Sequence, residues 1–297
     1  MTLNIHKDQI RANNLKHQVQ LPDGTTVPAI GQGTWFMGEN PALAKQEIAS
    51  LRLGVELGMT LIDTAEMYGS GGAELLLGEA LQGIREQVFL VSKVYPHNAD
   101  QKNAIKACET SLKRLKTDYL DLYLLHWRGN VPLEETAYVM EQLVQQGKIK
   151  RWGVSNLDTD DMQELWQEPY GKNCTVNQVL YHLGSRGIEY DLLPWCREHH
   201  LPIMAYCPIA QGGSLRRELM INKTVMALAK THDCTIAQLL LAWCIRSGDV
   251  IAIPKATTTK HVIENAQSSA IELTMDELAQ LDQVFTPPTH KMHLDIV

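Results

Sequence analysis

Three apolar runs in this chain end in polar groups that an apolar core would not ask for. Leu61-Ile62-Asp63 is followed shortly by Tyr68, Val88-Phe89-Leu90-Val91-Ser92 ends at Lys93, and Leu120-Asp121-Leu122-Tyr123-Leu124-Leu125 ends at His126. Parallel strands of one barrel would carry all four groups into one mouth, because reactive groups in such barrels come from strand C-termini and the loops that follow. An unperturbed phenol has a pKa of ~10 and is a poor acid. A nearby lysine cation favours the phenolate and lowers that value. Asp63 would keep the amine charged and oriented, and His126 could hydrogen-bond a carbonyl oxygen. Tyr68 could then donate a proton to an oxygen on which negative charge develops. Each residue alone has a plainer reading. Asp63 could cap a helix, Tyr68 could be a loop aromatic, and His126-Trp127 could be a packed core pair. Lys93 is harder to dismiss, since burying an unpaired amine is costly.

Those groups need a scaffold, and the hydrophobic pattern supplies one. Short apolar runs recur at residues 29–33, 60–64, 88–93, 119–126, 149–154, 175–178, 202–206 and 250–254. Stretches with helical spacing separate them, as in a repeated βα unit. These fall at 43–57, 73–81, 104–115, 133–146, 158–166, 191–199, 224–229, 236–245, 261–270 and 275–284. Gly147 stands where a helix C′ glycine would, and Asp158-Thr159 supply N-cap types. Two helical stretches precede the last strand and one follows the barrel, as decorations. Asp23-Gly24 between short alternating runs reads as a hairpin turn. Residues before about Lys16 read as a loosely held tail. The pattern predicts an α/β fold, a (β/α)₈ TIM barrel, as a single domain over 1–297. An open doubly wound sheet is the rival. Gly31-x-Gly33 does not support it, because Phe36 stands where a dinucleotide fingerprint needs glycine.

A length of 297 residues suits one barrel, and 44% hydrophobic residues can fill its core. The net charge of -7 and the lack of a basic block argue against nucleic acid. No apolar run is long enough to cross a membrane, and the first twenty residues do not resemble a signal peptide. Six cysteines without a C-x-x-C pair read as free thiols of a reducing, cytoplasmic compartment. His199-His200 and His290-x-x-His293 lack metal-ligand companions, so no metal is expected.

Asp63-Thr64-Ala65-x-x-Tyr68-Gly69, Lys93 after its strand and His126-Trp127 resemble the pattern of the aldo-keto reductase family. So do Gly33-Thr34-Trp35, Gly153-Val154-Ser155-Asn156, Asn177-Gln178, Ala205-Tyr206-x-Pro208 and Ile253-Pro254-Lys255. The resemblance runs from about Val19 to Val284 and is nearest to short bacterial members, including those that reduce methylglyoxal.

The resemblance implies a barrel closed at its bottom by the Asp23-Gly24 hairpin, and hydride transfer from NADPH to an aldehyde or ketoaldehyde. By motif position Tyr68 would be the proton donor, tuned by Lys93 and Asp63, with His126 orienting the carbonyl. Ser155, Asn156 and Gln178 would bind the nicotinamide amide, and Tyr206 would stack on its ring. The segment Cys207-Pro208-Ile209-Ala210-Gln211-Gly212-Gly213 would pass the pyrophosphate, and Gly33, Thr34 and Trp35 would also line the cofactor's path. Lys255, Thr257, His261, Glu264 and Asn265 would hold the 2′-phosphate and adenine. Two positions depart from the family: Ala256 often is serine, and His261 often is arginine. NADPH is expected, with NADH possible. Cys207, where serine is common, reads as an inert thiol. Trp35, Tyr68, His126 and Trp127 would line a short-walled, open substrate mouth. The expected partner is a small carbonyl compound, met by a monomer with no nucleic-acid or membrane partner. Two alternatives stay open: a cofactor-binding regulatory module with little turnover, and a Schiff-base aldolase acting through Lys93.

Overall fold

The computed structural model describes residues 2–297; Met1 lies outside the described residues. Residues 2–16, expected as a loose tail, instead form helix α1 (Thr2–Lys16). Two residues tie α1 down. Ile10 is buried, and the buried Asn14 amide donates to the carbonyls of Ile10, Leu57 and Ala266 at 3.2, 2.9 and 2.9 Å.

A hairpin follows, β1 (Gln18–Gln20) and β2 (Thr26–Pro28), paired antiparallel. Its turn is the expected one. Gly24 takes φ 85°, a conformation that glycine adopts without penalty. Val19, Leu21 and Val27 are buried against Leu61, Leu122, Met204 and Ile251 from inside the barrel, so the hairpin plugs its N-terminal end. Arg151 fixes the plug from the side, donating to Asp23 Oδ2 and Thr25 Oγ1, each at 2.9 Å.

The barrel is the predicted one. Its strands are β3 (Gln32–Gly33), β4 (Leu61–Asp63), β5 (Phe89–Val94), β6 (Leu122–Leu125), β7 (Trp152–Ser155), β8 (Asn177–Leu180), β9 (Ile203–Tyr206) and β10 (Val250–Ala252). All eight are parallel and neighbours in sequence order. A parallel bridge between Ile30 and Ala252 joins the first strand to the last. Helices α2 (Ala44–Glu56), α3 (Gly72–Ala80), α4 (Ala104–Leu115), α5 (Leu133–Gln145), α6 (Thr159–Gln167) and α7 (Leu192–Glu198) fill the crossovers up to β9. Asp158 caps α6 in a capping box with Asp161.

Three helices, not two, lie between β9 and β10: α8 (Gly213–Ile221), α9 (Lys223–Thr231) and α10 (Ile236–Ile245). Helix α8 begins at the second of two glycines and buries little beyond Leu219, so it carries almost no apolar signature. Helices α11 (Thr259–Gln267) and α12 (Met275–Val284) complete the chain's regular structure.

The two-residue period of a strand decides what faces the barrel axis. Leu61, Val91, Leu122, Leu124, Val176, Met204, Ile251 and Ile253 form the interior cluster, while their neighbours Ile62, Leu90, Tyr123, Val179, Ile203 and Ala252 join the outer core under the helices. Continuing each interior row by two residues reaches Asp63, Lys93, His126, Gln178 and Tyr206. The same pleat that buries the apolar layers delivers the polar groups to the C-terminal mouth.

Candidate active site

Lys93 is fully buried and its ammonium nitrogen is the hub of the mouth. It lies 2.7 Å from both carboxylate oxygens of Asp63, 2.9 Å from the carbonyl of Thr64 and 3.1 Å from the hydroxyl of Tyr68. Gln178 Nε2 donates to Asp63 Oδ1 at 2.8 Å. His126 stands on the far side of the phenol, its ring edge-on to Tyr68 at 5.8 Å between centroids. The four residues expected to act together are therefore brought together.

Tyr68 sits on the loop between β4 and α3, and that loop is unusual. Gly69, Ser70 and Gly71 take φ of 56°, 52° and 92° in succession. A side chain at Gly71 would strike the Arg114 guanidinium, whose Cζ lies 2.6 Å from where its Cβ would be. Arg114 donates to the buried Glu74 at 3.0 Å, and Ser92, beside Lys93, donates to the same carboxylate at 2.7 Å. The Tyr68 loop is thus pinned to β5 and α4 rather than left to drift.

The electrostatics differ from the sequence expectation at one point. Lysine beside tyrosine was expected to lower the phenol pKa; in the fold Tyr68 is pushed well above 10, first by burial and then by the charge of Asp63. The physical reason is the pairing itself. With a carboxylate at 2.7 Å, the Lys93 charge reaches Tyr68 as one end of a dipole, and burial penalises the phenolate. Burial also raises Asp63 and lowers Lys93, each opposed by the partner's charge. His126 is pushed down to about 2, by burial and then by the Lys93 charge, so its ring is neutral at any working pH. Its Nδ1 is buried without a partner. That favours the tautomer with the proton on Nε2, because a buried acceptor left unpaired is the more tolerable case.

A cleft of about 340 Å³ opens on this cluster. Of the expected residues, Gly33, Trp35, Asp63, Tyr68, His126, Trp127, Ser155, Asn156, Gln178, Tyr206, Pro208, Ile209, Gln211 and Lys255 line it. Thr34 does not; it is buried, and its hydroxyl donates to the Asp63 carbonyl at 2.9 Å. Thr257, His261, Glu264 and Asn265 also lie off the cleft wall, beyond β10 and on α11. His261 is exposed, and its backbone N–H is capped by Thr258.

Sequence reasoning missed Phe36, Met67, Arg216 and Val297, which also line the cleft, as do Cys207 and Ala210 of the segment expected at the pyrophosphate and Ile253 and Pro254 before Lys255. Phe36 was weighed only as a failed glycine. Val297 arrives because the last residues fold back. Lys291 bridges Asp158 and Asp191 at 2.5 and 2.8 Å, and Ser185 donates to Asp295 at 2.5 Å. The mouth expected to be short-walled thus gains a rim from the terminal segment. The Cys207 thiol is pushed up to about 11 by burial, which leaves it protonated and unreactive at neutral pH.

The donor set at the mouth suits a carboxamide. Ser155 donates to the Gln178 carbonyl at 2.8 Å, and Asn156 donates to Ser155 Oγ at 3.2 Å. The Tyr206 hydroxyl donates to Asn156 Oδ1 at 2.8 Å, which sets its ring along the cleft. Hydroxyl and amide groups offer the donors and acceptors that an amide needs. Of the nine non-glycine residues with positive φ among the described residues, Phe36, Asn156, Cys207 and Ala210 line this one cleft. Held strain of that kind concentrates at working sites.

An eight-stranded parallel barrel with a Lys–Asp–Tyr–His cluster at its C-terminal mouth is the architecture of one oxidoreductase class. The family model described as "Aldo/keto reductase family" matches residues 29–285, and the chain belongs to that family. It is 59% identical over 279 residues to methylglyoxal reductase YeaE of Escherichia coli, covering 94% of this chain and 98% of that one. It is 32% identical to a glyoxal reductase of Bacillus subtilis, covering 91% and 93%. Among solved structures it superposes on a Klebsiella pneumoniae aldo/keto reductase in complex with NADP and acetate. The TM-score is 0.93 at 56% identity, covering 95% of this chain and 99% of that one.

Proposed function

We propose that this chain is an NADPH-dependent reductase of small aldehydes and ketoaldehydes, methylglyoxal among them, with Tyr68 as the proton donor. The observation that carries the reading is the buried ammonium of Lys93, which touches Asp63 and the Tyr68 hydroxyl at once. Bound NADPH supplies the hydride. The side chains do the rest. A neutral phenol is the form that can give a proton, and burial keeps Tyr68 in that form. As negative charge grows on the carbonyl oxygen, Tyr68 transfers its proton and the adjacent Lys93 ammonium offsets the charge left on the phenolate. His126, neutral with Nε2 protonated, holds the same oxygen by a hydrogen bond. Trp35 and Trp127 present apolar faces that exclude water and seat the substrate.

On the cofactor side, Ser155, Asn156 and Gln178 would hold the nicotinamide carboxamide, with Ser155 and Asn156 exchanging the bond between them for bonds to it. The Tyr206 ring offers a flat face for the nicotinamide. Lys255 is exposed at the cleft and would meet the 2′-phosphate, with the N-terminus of α11 nearby. Glu264 and Asn265 on α11, with Thr257 and His261, would take the adenosine end. The K. pneumoniae relative in complex with NADP supports that cofactor choice.

The fold weighs against the aldolase. A Schiff-base lysine must present a free amine, whereas Lys93 is fully buried and bound to four acceptors. We further place the enzyme in the cytoplasm as a monomer. Its six cysteines are unpaired, as a reducing compartment requires, and among the described residues no helix is long and apolar enough to cross a membrane. The test of the reading is NADPH oxidation by the purified chain with methylglyoxal and a panel of small aldehydes. Absence of turnover with every member of the panel, with NADPH bound, would favour the regulatory module instead.

A further inference from the structure

Phe36 occupies a position that turn chemistry assigns to another residue. The backbone N–H of Met37 donates to the Thr34 carbonyl at 2.9 Å, which closes a tight turn over Thr34-Trp35-Phe36-Met37. Phe36 is the third residue of that turn, with φ 64°. Glycine or asparagine is the residue that such a positive-φ turn position prefers. A bulky aromatic there is an outlier that the surrounding structure must hold in place.

Nothing in the core recovers that cost. Phe36 is 52% exposed, so most of what burial gives an aromatic ring is lost here. What the conformation does achieve is placement. The ring stacks face to face on Trp35, with centroids 4.6 Å apart and planes 17° apart. Trp35 in turn lies beside Tyr68, at 6.4 Å and 28°. Phe36, Trp35 and Tyr68 therefore form one continuous stack, whose ring edges run along the cleft from its outer rim to the proton donor. His126 closes the inner end, edge-on to Tyr68.

We propose that Phe36 is a specificity-determining residue. It extends the pocket wall so that carbonyl substrates bearing a planar aromatic group are favoured over three-carbon substrates, which reach only the inner end of the stack. This rests on the reductase reading for the identity of the reacting carbonyl, but not for the binding preference. A planar ring laid across the edges of the stack gains an edge-to-face contact with Phe36 in addition to the area it buries. A methylglyoxal-sized molecule, held between Tyr68, His126 and Trp127, does not reach that far.

The test uses Phe36→Asn, which keeps a residue tolerant of the left-handed conformation while removing the ring. Phe36→Leu serves as a second variant that keeps apolar bulk without a flat face. Two readouts are taken on each. One is the ratio of kcat/KM for benzaldehyde to that for methylglyoxal. The other needs no turnover: calorimetric titration of the NADPH-loaded chain with benzamide and with acetamide, which are carbonyl compounds that it does not reduce.

Both aromatic-over-small ratios should fall about three- to tenfold in Phe36→Asn, the scale of one aromatic pair, and by a smaller factor in Phe36→Leu. A fluorescence titration should leave the dissociation constant for NADPH within about twofold. If the benzamide preference is unchanged in Phe36→Asn, the proposal is overturned, whatever the kinetics show. A large loss of NADPH affinity with both ratios fixed would equally overturn it, by making Phe36 part of the cofactor's wall. Absence of turnover by the unmodified chain, with the benzamide preference intact and sensitive to Phe36, would count against the reductase reading alone.

Discussion

Replacing Lys93 by methionine exposes what the buried pair contributes, because it removes the charge while keeping most of the side-chain volume. Asp63 would then keep Gln178 Nε2 at 2.8 Å as its one remaining side-chain donor. Two outcomes are open to the carboxylate. It can stay charged and unpaired, which costs ~3–5 kcal/mol when one partner of a buried pair is removed. It can instead take up a proton. At pH 7 that costs about 4 kcal/mol, being some three pH units above the ordinary aspartate pKa at ~1.4 kcal/mol each. The chain takes the cheaper route, so about 4 kcal/mol is the ceiling at pH 7. The sign of the pH dependence follows. In the variant the folded pKa of Asp63 lies above its unfolded value. Its stability is therefore fully present below about pH 4 and is lost as pH rises toward the folded pKa. The gap between wild type and variant should therefore widen from pH 5 to pH 7 toward a ceiling of about 4 kcal/mol, reduced by the extent to which burial already raises Asp63 in the wild type. Urea unfolding of the cofactor-free chain at several pH values measures it. Adding Asp63→Asn to the variant should flatten the pH dependence. A gap that is the same at pH 5 and pH 7, or below about 1 kcal/mol at pH 7, would refute the claim that Asp63 depends on Lys93 for its charge.

Three further outcomes follow from the same site. His126, held down to about 2, is neutral in the fold at pH 5 while the unfolded chain is protonated, so it lowers stability as pH falls below about 6.5. His126→Asn should remove roughly 2 kcal/mol of the decline between pH 7 and pH 5, read by urea unfolding; an unchanged decline would mean that the ring is not buried neutral. With Tyr68 pushed well above 10 and His126 far below 6, kcat should show no ionisation of enzyme groups between pH 6 and pH 9. A bell-shaped profile centred in that range would contradict both assignments. His261→Arg should tighten NADPH relative to NADH by about fivefold, since guanidinium stays charged and offers a fork to phosphate, and Lys255→Ala should shift the ratio the other way. Fluorescence titrations of both cofactors at one ionic strength decide it, and a fixed ratio in both variants would move the 2′-phosphate site elsewhere.

Strand order and the four-residue cluster were legible because both depend on local pattern. A run such as Val88 to Lys93 announces a buried strand and its exceptional end in six letters. What stayed hidden depends on tertiary partners. Helix α1 has almost no apolar stripe; it is held by the buried Ile10 and by one amide, Asn14, reaching carbonyls on two distant segments. The Asp63–Lys93 pair was legible, but nothing near Tyr68 in the chain reveals that its phenol is buried, so the direction of its pKa was misread. Phe36 was invisible as a pocket residue because its left-handed turn is a property of the backbone path. The adenine end was placed by family likeness, and the fold sets Thr257, His261, Glu264 and Asn265 outside the cleft wall rather than in it.

On the proposed mechanism Tyr68 gives the proton while the rest of the site binds. Tyr68→Phe removes one hydroxyl and leaves the ring that packs beside Trp35 and His126. Steady-state reduction of methylglyoxal is measured beside a fluorescence titration with NADPH on the same preparation. We expect kcat to fall by ~10²–10⁴-fold, the range for losing a positioned general acid, with NADPH affinity within about twofold of wild type. Turnover close to wild type would contradict the assignment of Tyr68, for the proton would then come from elsewhere.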